Sequence, residues 1–299
     1  MKITCMKKIC QEMKKKDKED MNVFVAVYDL QAVMQLPKGD VSAFYYKSKL
    51  NVFNFTIYDI KTNKCQCFVW DEANGRRGVN ELCTCVLQYI KNLSTTEDAE
   101  IIFYSDNCAG QQKNKFMIAM YLYAVRYLGI KSITHKYLIK GHTQNEGDSA
   151  HSLIERETKR MLKSGPIYTT EGFVSIIRSA KKRGDPFNVN ELCFEDFLDL
   201  KILANDIGPL NMADLKLSLV KTIRVQRESP NSVFYKTAYA DEKFKEAIVI
   251  KKKMQAKAIS LNKAFHTKPG IPANKRADIN DLIKKKLIPN FYKPFYDNL

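Results

Sequence analysis

No apolar run in this sequence reaches the length that a bilayer-spanning helix needs. The opening "MKITCMKKICQEMKKKDKED" lacks the uninterrupted apolar centre of a secretion signal. Both absences argue for an intracellular protein. There is no internal repeat. There is no C-x-x-C pair either. The eight cysteines stand at 5, 10, 65, 67, 83, 85, 108 and 193, and their close pairs are "CQC" and "CTC". Such pairs are expected to diverge rather than share a zinc ion, so the thiols read as small apolar residues in a reducing compartment. Negative charge is scarce: 33 Asp and Glu stand against 49 Lys and Arg, for a net +16. That excess favours a polyanionic partner, nucleic acid before an anionic membrane face; the blander reading is a solvated basic surface.

What is present reads as one domain with an appendage in 299 residues. "NVFVAVYDL" is a short apolar strand ending in Asp29 and Leu30. In "NVFNFTIYDI", Phe53, Phe55 and Ile57 alternate with polar residues, and "KTNK" turns the chain into "CQCFVW". Leu82, Cys85, Val86 and Tyr89 then recur at helical spacing. "EIIFYS" is a buried strand, "NKFMIAMYLYAVRYL" a helix, "SITHKYLIK" a strand, and "SAHSLIERETKRML" a helix. The order β-β-β-α-β-α-β-α predicts an α/β fold with a mixed sheet, antiparallel at first and parallel later. Residues 22–165 form this domain after a charged segment, 1–21. An α+β extension follows over 166–250, with a helix at "EGFVSIIRSAKKRG" and strands in "LKLSLVKTIRVQRE", "SVFYKTAY" and "EAIVIKK". Residues 251–299 are a lysine-rich linker, a short helix and an aromatic tail.

This order gathers acids at strand ends. Asp29 ends the first strand, Asp106 follows "EIIFYS", Asp148 opens the last helix of the domain, and Glu81 lies in the first turn of the helix after the meander. Each has a plain reading alone: Asp106 and Asp148 as helix caps, Asp29 as a turn residue, Glu81 as a partner of the helix dipole. Together they form a set that repels itself unless a cation sits among them. His142 follows a glycine in "IKGHTQNEGDSAH", where a loop histidine is the plain reading, and His135 inside a strand reads as packing.

The motifs resemble the ribonuclease H superfamily over about residues 22–163. "VYDLQ" resembles its first-strand aspartate motif, "RGVNELCTCVLQYIKNL" its glutamate helix, "IIFYSDN" its fourth-strand aspartate motif, and "IKGHTQNEGDSAH" its histidine-aspartate segment. "SDNCAGQQKN", "KGHTQNEGDSAHSLIE" and "IPNFYKPFY" more narrowly resemble an uncharacterised, transposon-associated ribonuclease H-like domain family of eukaryotes. The resemblance implies an Asp-Glu-Asp-Asp site of Asp29, Glu81, Asp106 and Asp148 holding two Mg²⁺ or Mn²⁺ ions, with His142 assisting proton transfer and product release. Asp148 lies three residues after Asn145 where the family has four, a rotation of about 100° on a helix. Glu146 or Glu155 is therefore a substitute ligand, and Asp148, His151, Ser152 and Glu155 share one helical face.

Asn107, Gln111, Gln112, Lys113, Asn114 and Asn145 are expected nucleic-acid contacts. Two functions follow from this reading. One is a metal-dependent nuclease or transposase-like strand transferase, acting on DNA, RNA or a hybrid. The other is a catalytically inactive, transposon-derived nucleic-acid-binding module. Transposases of this fold use three carboxylates, so a fourth from Glu81 tilts the chemistry slightly toward hydrolysis. The "KKK" runs at 251–253 and 284–286 are solvated lysines, phosphate contacts or nuclear-import signals. A homo-oligomer and a recognition domain upstream of this chain both fit the reading.

Overall fold

The computed structural model of the chain describes residues 3–93, 98–107, 112–138, 146–208, 210–213, 215–250 and 259–299. In chain order these form α1 (Ile3–Glu19), β1 (Val23–Leu30), β2 (Met34–Leu36), α2 (Ser42–Tyr45), β3 (Leu50–Asp59) and β4 (Cys65–Asp71). Then come α3 (Val79–Leu93), β5 (Glu100–Ser105), α4 (Lys115–Tyr127), β6 (Ser132–Tyr137) and α5 (Glu146–Leu162). The remainder supplies α6 (Thr170–Ala180), β7 (Asn188–Glu191), α7 (Leu200–Asp206), β8 (Thr222–Gln226), β9 (Ser232–Lys236), β10 (Lys245–Ile248), α8 (Ala273–Lys284) and α9 (Lys293–Asp297).

The fold is α/β with one mixed sheet in the order β10-β9-β8-β6-β5-β1-β3-β4-β7, and β2 pairs with β3. β1, β3 and β4 run antiparallel to their neighbours in that trio, whereas β1-β5 and β5-β6 are parallel. The predicted extension does not stand apart from this sheet. β7 adds parallel to the outer edge of β4, and β8 adds antiparallel to β6 with β9 and β10 beyond it. Covering both edges of the central five strands removes exposed pairing groups that would otherwise invite association.

Alternation along the strands decides which side chains meet which helices. Phe53, Phe55 and Ile57 of β3, with Tyr28, Phe103 and Ile133, pack with α3, α4 and α7 on one face. Leu50 and Val52 of the same strand point the other way, into α5, α6 and the C-terminal helix α8. Val25, Val27 and Tyr104 form a third, smaller apolar cluster with Ile60 and Leu138.

The charged start of the chain is helical, not merely charged. In α1, Cys10, Met13, Lys14 and Asp17 recur on one stripe and are shielded, while Gln11, Glu12, Lys15, Lys16 and Lys18 face water. Asp17 accepts hydrogen bonds from the Tyr104 hydroxyl and the Lys136 ammonium, and Lys14 pairs with Glu146 at the start of α5. The C-terminal tail also joins the core: Leu282, Ile288 and Tyr296 are buried with α6, and the Tyr296 hydroxyl donates to the Tyr168 carbonyl. Among the described residues, no helix is long and apolar enough to cross a membrane.

The "CQC" expectation needs correction. Residues two apart on a strand point to the same side. Cys65 and Cys67 therefore stand together, with sulfurs 3.9 Å apart and both buried. Among the described residues no metal-compatible group includes the pair, and burial and packing account for it.

Candidate metal centre

Asp29 sits at the C-terminal end of β1, opposite Thr56 of β3. β1 and β5 run parallel in the register Val27 to Tyr104. Continuing that register two residues brings Asp29 beside Asp106. α5 crosses the same face, so its first turn delivers Asp148 and its second delivers His151. One ligand atom from each of Asp29, Asp148 and His151 lies within 4.8 Å of the others, and this is the metal-compatible group found among the described residues.

Hydrogen bonds fix the geometry. Asp29 Oδ1 accepts the Leu30 N–H at 2.8 Å, and the buried Gln112 side chain donates to the same carboxylate. His151 Nε2 lies 2.9 Å from Thr56 Oγ1, and its Nδ1 lies 4.0 Å from Asp29 Oδ2. With Nε2–H donated to Thr56, the Nδ1 lone pair faces Asp29 and Asp148. A neutral histidine oriented through its other nitrogen is how proteins present imidazole to a metal.

The electrostatics agree with that geometry. Burial raises the Asp29 carboxyl to about 7, and the charges of Asp106 and then Asp148 add to the rise; the Leu30 amide and Gln112 oppose it. Burial holds the His151 imidazole down to about 4 against the opposing pull of Asp148. At neutral pH the histidine is neutral, and the neighbouring charges push Asp29 toward holding a proton. A cation among them relieves both effects.

Behind the acids, on the α4 side of the sheet, lies a second polar layer. Ser105 Oγ donates to the Asp106 carbonyl at 2.8 Å and stands 2.8 Å from His135 Nε2. The His135 ring also meets the Tyr28 hydroxyl at 3.1 Å and lies under Tyr137, ring centroids 4.1 Å apart. Tyr28 and Ser105 are the residues immediately before Asp29 and Asp106, so this network braces the strand ends that carry the acids. His135, read from the sequence as packing, is fully buried here, with its pKa pushed down to about 3 by burial and by Lys113.

Not every expected site residue joins the group: Asp106, beside Asp29 by register, is not one of the three whose ligand atoms lie within 4.8 Å of one another. Glu81 is buried at the start of α3 with Oε1 accepting the Arg76 N–H at 2.7 Å. Burial raises its pKa against the Arg76, Glu81 and Gly78 amides, and the structure does not bring it into the cluster with Asp29. Glu146, a substitute ligand by sequence, is paired with Lys14 instead. Glu155, the other substitute, is exposed farther along α5, where its charge acts on Lys38. Lys113 is no surface contact: it is buried, donates to Asn107 Oδ1 at 2.9 Å and to the Val220 carbonyl, and lies over the Tyr137 ring. Desolvation, and then Lys221, lowers its pKa to about 8. Asn114 Oδ1 caps α4 by accepting the Phe116 and Met117 N–H groups at 3.0 Å each. His142, Gln111 and Asn145 lie outside the described residues.

One contributor was missed. Thr56 was legible as the polar alternate to Phe55 and Ile57, but its pairing opposite Asp29 was not. His151 shares the α5 face from which the sequence lets any of Asp148, His151, Ser152 and Glu155 turn toward a cation, and the structure selects it beside Asp148.

Residues 48–238 match a family model described as Domain of unknown function (DUF7869). That match covers more than half of the chain. The chain belongs to the DUF7869 family. The DUF7869 match contains Thr56, Glu81, Asp106, Gln112, Asp148 and His151, and Asp29 precedes it. No curated protein matches the chain, and no solved structure does.

Proposed function

We propose that this DUF7869 protein is a divalent-metal-dependent phosphodiesterase of ribonuclease H-like fold, acting on nucleic acid as a nuclease or strand transferase. The observation that carries the reading is the convergence of Asp29, Asp148 and His151, with Asp106 beside Asp29 and its charge felt there. The central strand order β4-β3-β1-β5-β6, antiparallel and then parallel, supports it, as does the net charge of +16.

The donor set fits a divalent cation. Asp29 and Asp148 offer carboxylate oxygens and His151 offers Nδ1, while Asp106 stands beside Asp29 and acts on it through its charge. A nitrogen among the oxygens favours Mn²⁺ over Mg²⁺, which prefers an all-oxygen shell with several waters. When bound, such an ion supplies Lewis-acid stabilisation to an in-line displacement at phosphorus. The chain's own residues set the stage. Gln112 and the Leu30 amide hold the Asp29 carboxylate in one orientation, and Thr56 holds the His151 ring in place through Nε2. The Tyr28–His135–Ser105 layer limits movement of Asp29 and Asp106. Two acids plus histidine, with a third acid beside them, suit strand transfer as well as hydrolysis.

One observation favours the second reading, an inactive nucleic-acid-binding module: Glu81 is engaged by the Arg76 amide. Cleavage of labelled duplex, hybrid and single-stranded substrates with Mg²⁺ or Mn²⁺ separates the two. Wild-type cleavage that is lost in Asp29→Asn and Asp106→Asn, with binding retained, supports the enzyme. Salt-sensitive binding without wild-type cleavage leaves the module.

A further inference from the structure

α5 does more than deliver Asp148 and His151. Seven residues on from Asp148 is Glu155 and eleven on is Lys159, both close to whole numbers of helical turns, so all three lie along one line of the helix. Glu155 and Lys159 are exposed. Lys159 stands about 16 Å from Asp148 along the axis at 1.5 Å per residue. A second ruler gives nearly the same separation. Thr56 opposes Asp29 and Leu50 opposes Leu36 on β3, and the six residues from Thr56 to Leu50 span about 20 Å. At that end Lys38 is fixed by paired backbone hydrogen bonds to Ile167, 2.8 Å in each direction. Burial lowers the Lys38 ammonium pKa first, Lys49 and Lys159 lower it further, and Glu155 works against them, which places those three side chains around it.

Beside this lysine group is an aromatic pair. Phe44 is buried edge-on against Tyr168, the residue after Ile167, at 6.5 Å between ring centroids, and so anchors α2 next to Lys38. The two residues that follow, Tyr45 and Tyr46, are 82% and 81% exposed, with ring centroids 5.2 Å apart. The two adjacent rings form an exposed aromatic patch rather than a lone surface residue. Clustered lysines with a bare aromatic pair have the chemistry of a nucleic-acid strand site: ammonium groups for phosphates and ring faces for bases.

We propose that Lys38, Lys49 and Lys159, together with Tyr45 and Tyr46, form a distal binding site for a nucleic-acid strand. The strand runs along the exposed line of α5, with its other end at Asp29 and Asp148. The placement of that end rests on the phosphodiesterase reading above; the distal site itself does not. The 16–20 Å between the two ends corresponds to about five to six nucleotides of a helically stacked strand at roughly 3.4 Å per step, and fewer of an extended one. Glu155 lies on the track as a repelling charge, so strand affinity is held below what the lysines alone would give.

The test is fluorescence anisotropy of the full chain with a labelled single strand of about twelve nucleotides, in EDTA to prevent cleavage. The combined Lys38→Gln, Lys49→Gln, Lys159→Gln variant should bind about tenfold or more weakly, and the slope of log affinity against log salt should shrink by about 2. Tyr45→Ser with Tyr46→Ser should cost about fivefold or more. Glu155→Gln should tighten binding by about two- to fivefold, a gain that misfolding cannot imitate. Wild-type affinity in the lysine variant or in the tyrosine variant, or no strand binding by the wild type, overturns the proposal. Mn²⁺ titration of the same variants reads the acid cluster separately: cation binding should be unchanged in all of them. If the wild type binds strand but no cation, the phosphodiesterase reading fails and the distal site stands.

Discussion

Replacing Asp29 by Asn should make the metal-free protein more stable at alkaline pH, although it removes a charged group from the centre of the site. The carboxyl rises from an ordinary 3.8 to about 7 in the fold, through burial and the charges of Asp106 and Asp148. At 1.36 kcal/mol for each tenfold change in proton affinity, that rise of about three pH units corresponds to about 4 kcal/mol. The side chain is 22% exposed, so solvent screening reduces the effect to about 2–4 kcal/mol. A carboxyl whose pKa is raised by folding binds its proton more tightly in the native state. Its favourable contribution is complete below about pH 3.8 and is lost as pH climbs to about 7. Asparagine carries no charge at any pH and keeps an oxygen for the Leu30 N–H. The variant's advantage should therefore grow from near zero at pH 4 to its full value above pH 7, about 4–8 °C in melting temperature at roughly 2 °C per kcal/mol. Thermal unfolding in EDTA at pH 4.5 and pH 8 reads this. Equal or lower stability of the Asn variant at pH 8 refutes the reasoning. With saturating Mn²⁺ the order should reverse, because the wild type alone gains binding energy.

Three further outcomes follow from the same structure. Thr56→Val removes the group that orients His151 and should weaken Mn²⁺ affinity by about 10–100-fold, with a smaller loss of stability near 1 kcal/mol, seen by calorimetry and thermal unfolding. His135→Phe removes the ring nitrogen shared by Ser105 and Tyr28, which keep their bonds to the Asp106 carbonyl and the Tyr121 hydroxyl, and should cost about 0.5–1.5 kcal/mol at pH 7. Because the native imidazole is held down to about 3, its stabilisation is complete above pH 6.5 and fades as pH falls toward 3, so that variant should lose less stability on acidification than the wild type. Leu282→Ala in α8 empties a fully buried position beside α6 and should cost about 2–5 kcal/mol in denaturant unfolding, with one cooperative transition, if the C-terminal helix folds with the sheet.

Periodicity made the central elements legible. β1, β3, β4, α3, β5, α4, β6 and α5 each form at the expected stretch because each carries its own alternation or helical stripe, with β2 and α2 inserted after β1. Pairing partners at long range were not legible. Nothing local marks "NVNE" as a strand on the edge of β4, or β8 as the neighbour of β6, since those choices are made by tertiary packing. The lysines of α1 concealed a narrow buried stripe of Cys10, Met13 and Asp17. At the site, strand ends announced Asp29 and Asp106, and α5 announced Asp148. Glu81 could not be placed from sequence, because a first-turn helical glutamate can turn toward a neighbouring strand or toward its own preceding loop, and here the Arg76 N–H holds it in the loop.

Calorimetric titration of the purified chain with Mn²⁺ at pH 7.5, beside the Asp29→Asn variant, is the most direct test of the claim that these side chains form a cation site. Saturable binding by the wild type, abolished in the variant, is the expected result, with only a fraction of a proton released because Asp29, titrating near 7, is already mostly ionised at this pH. No heat of binding in the wild type, or equal affinity in the variant, would contradict it.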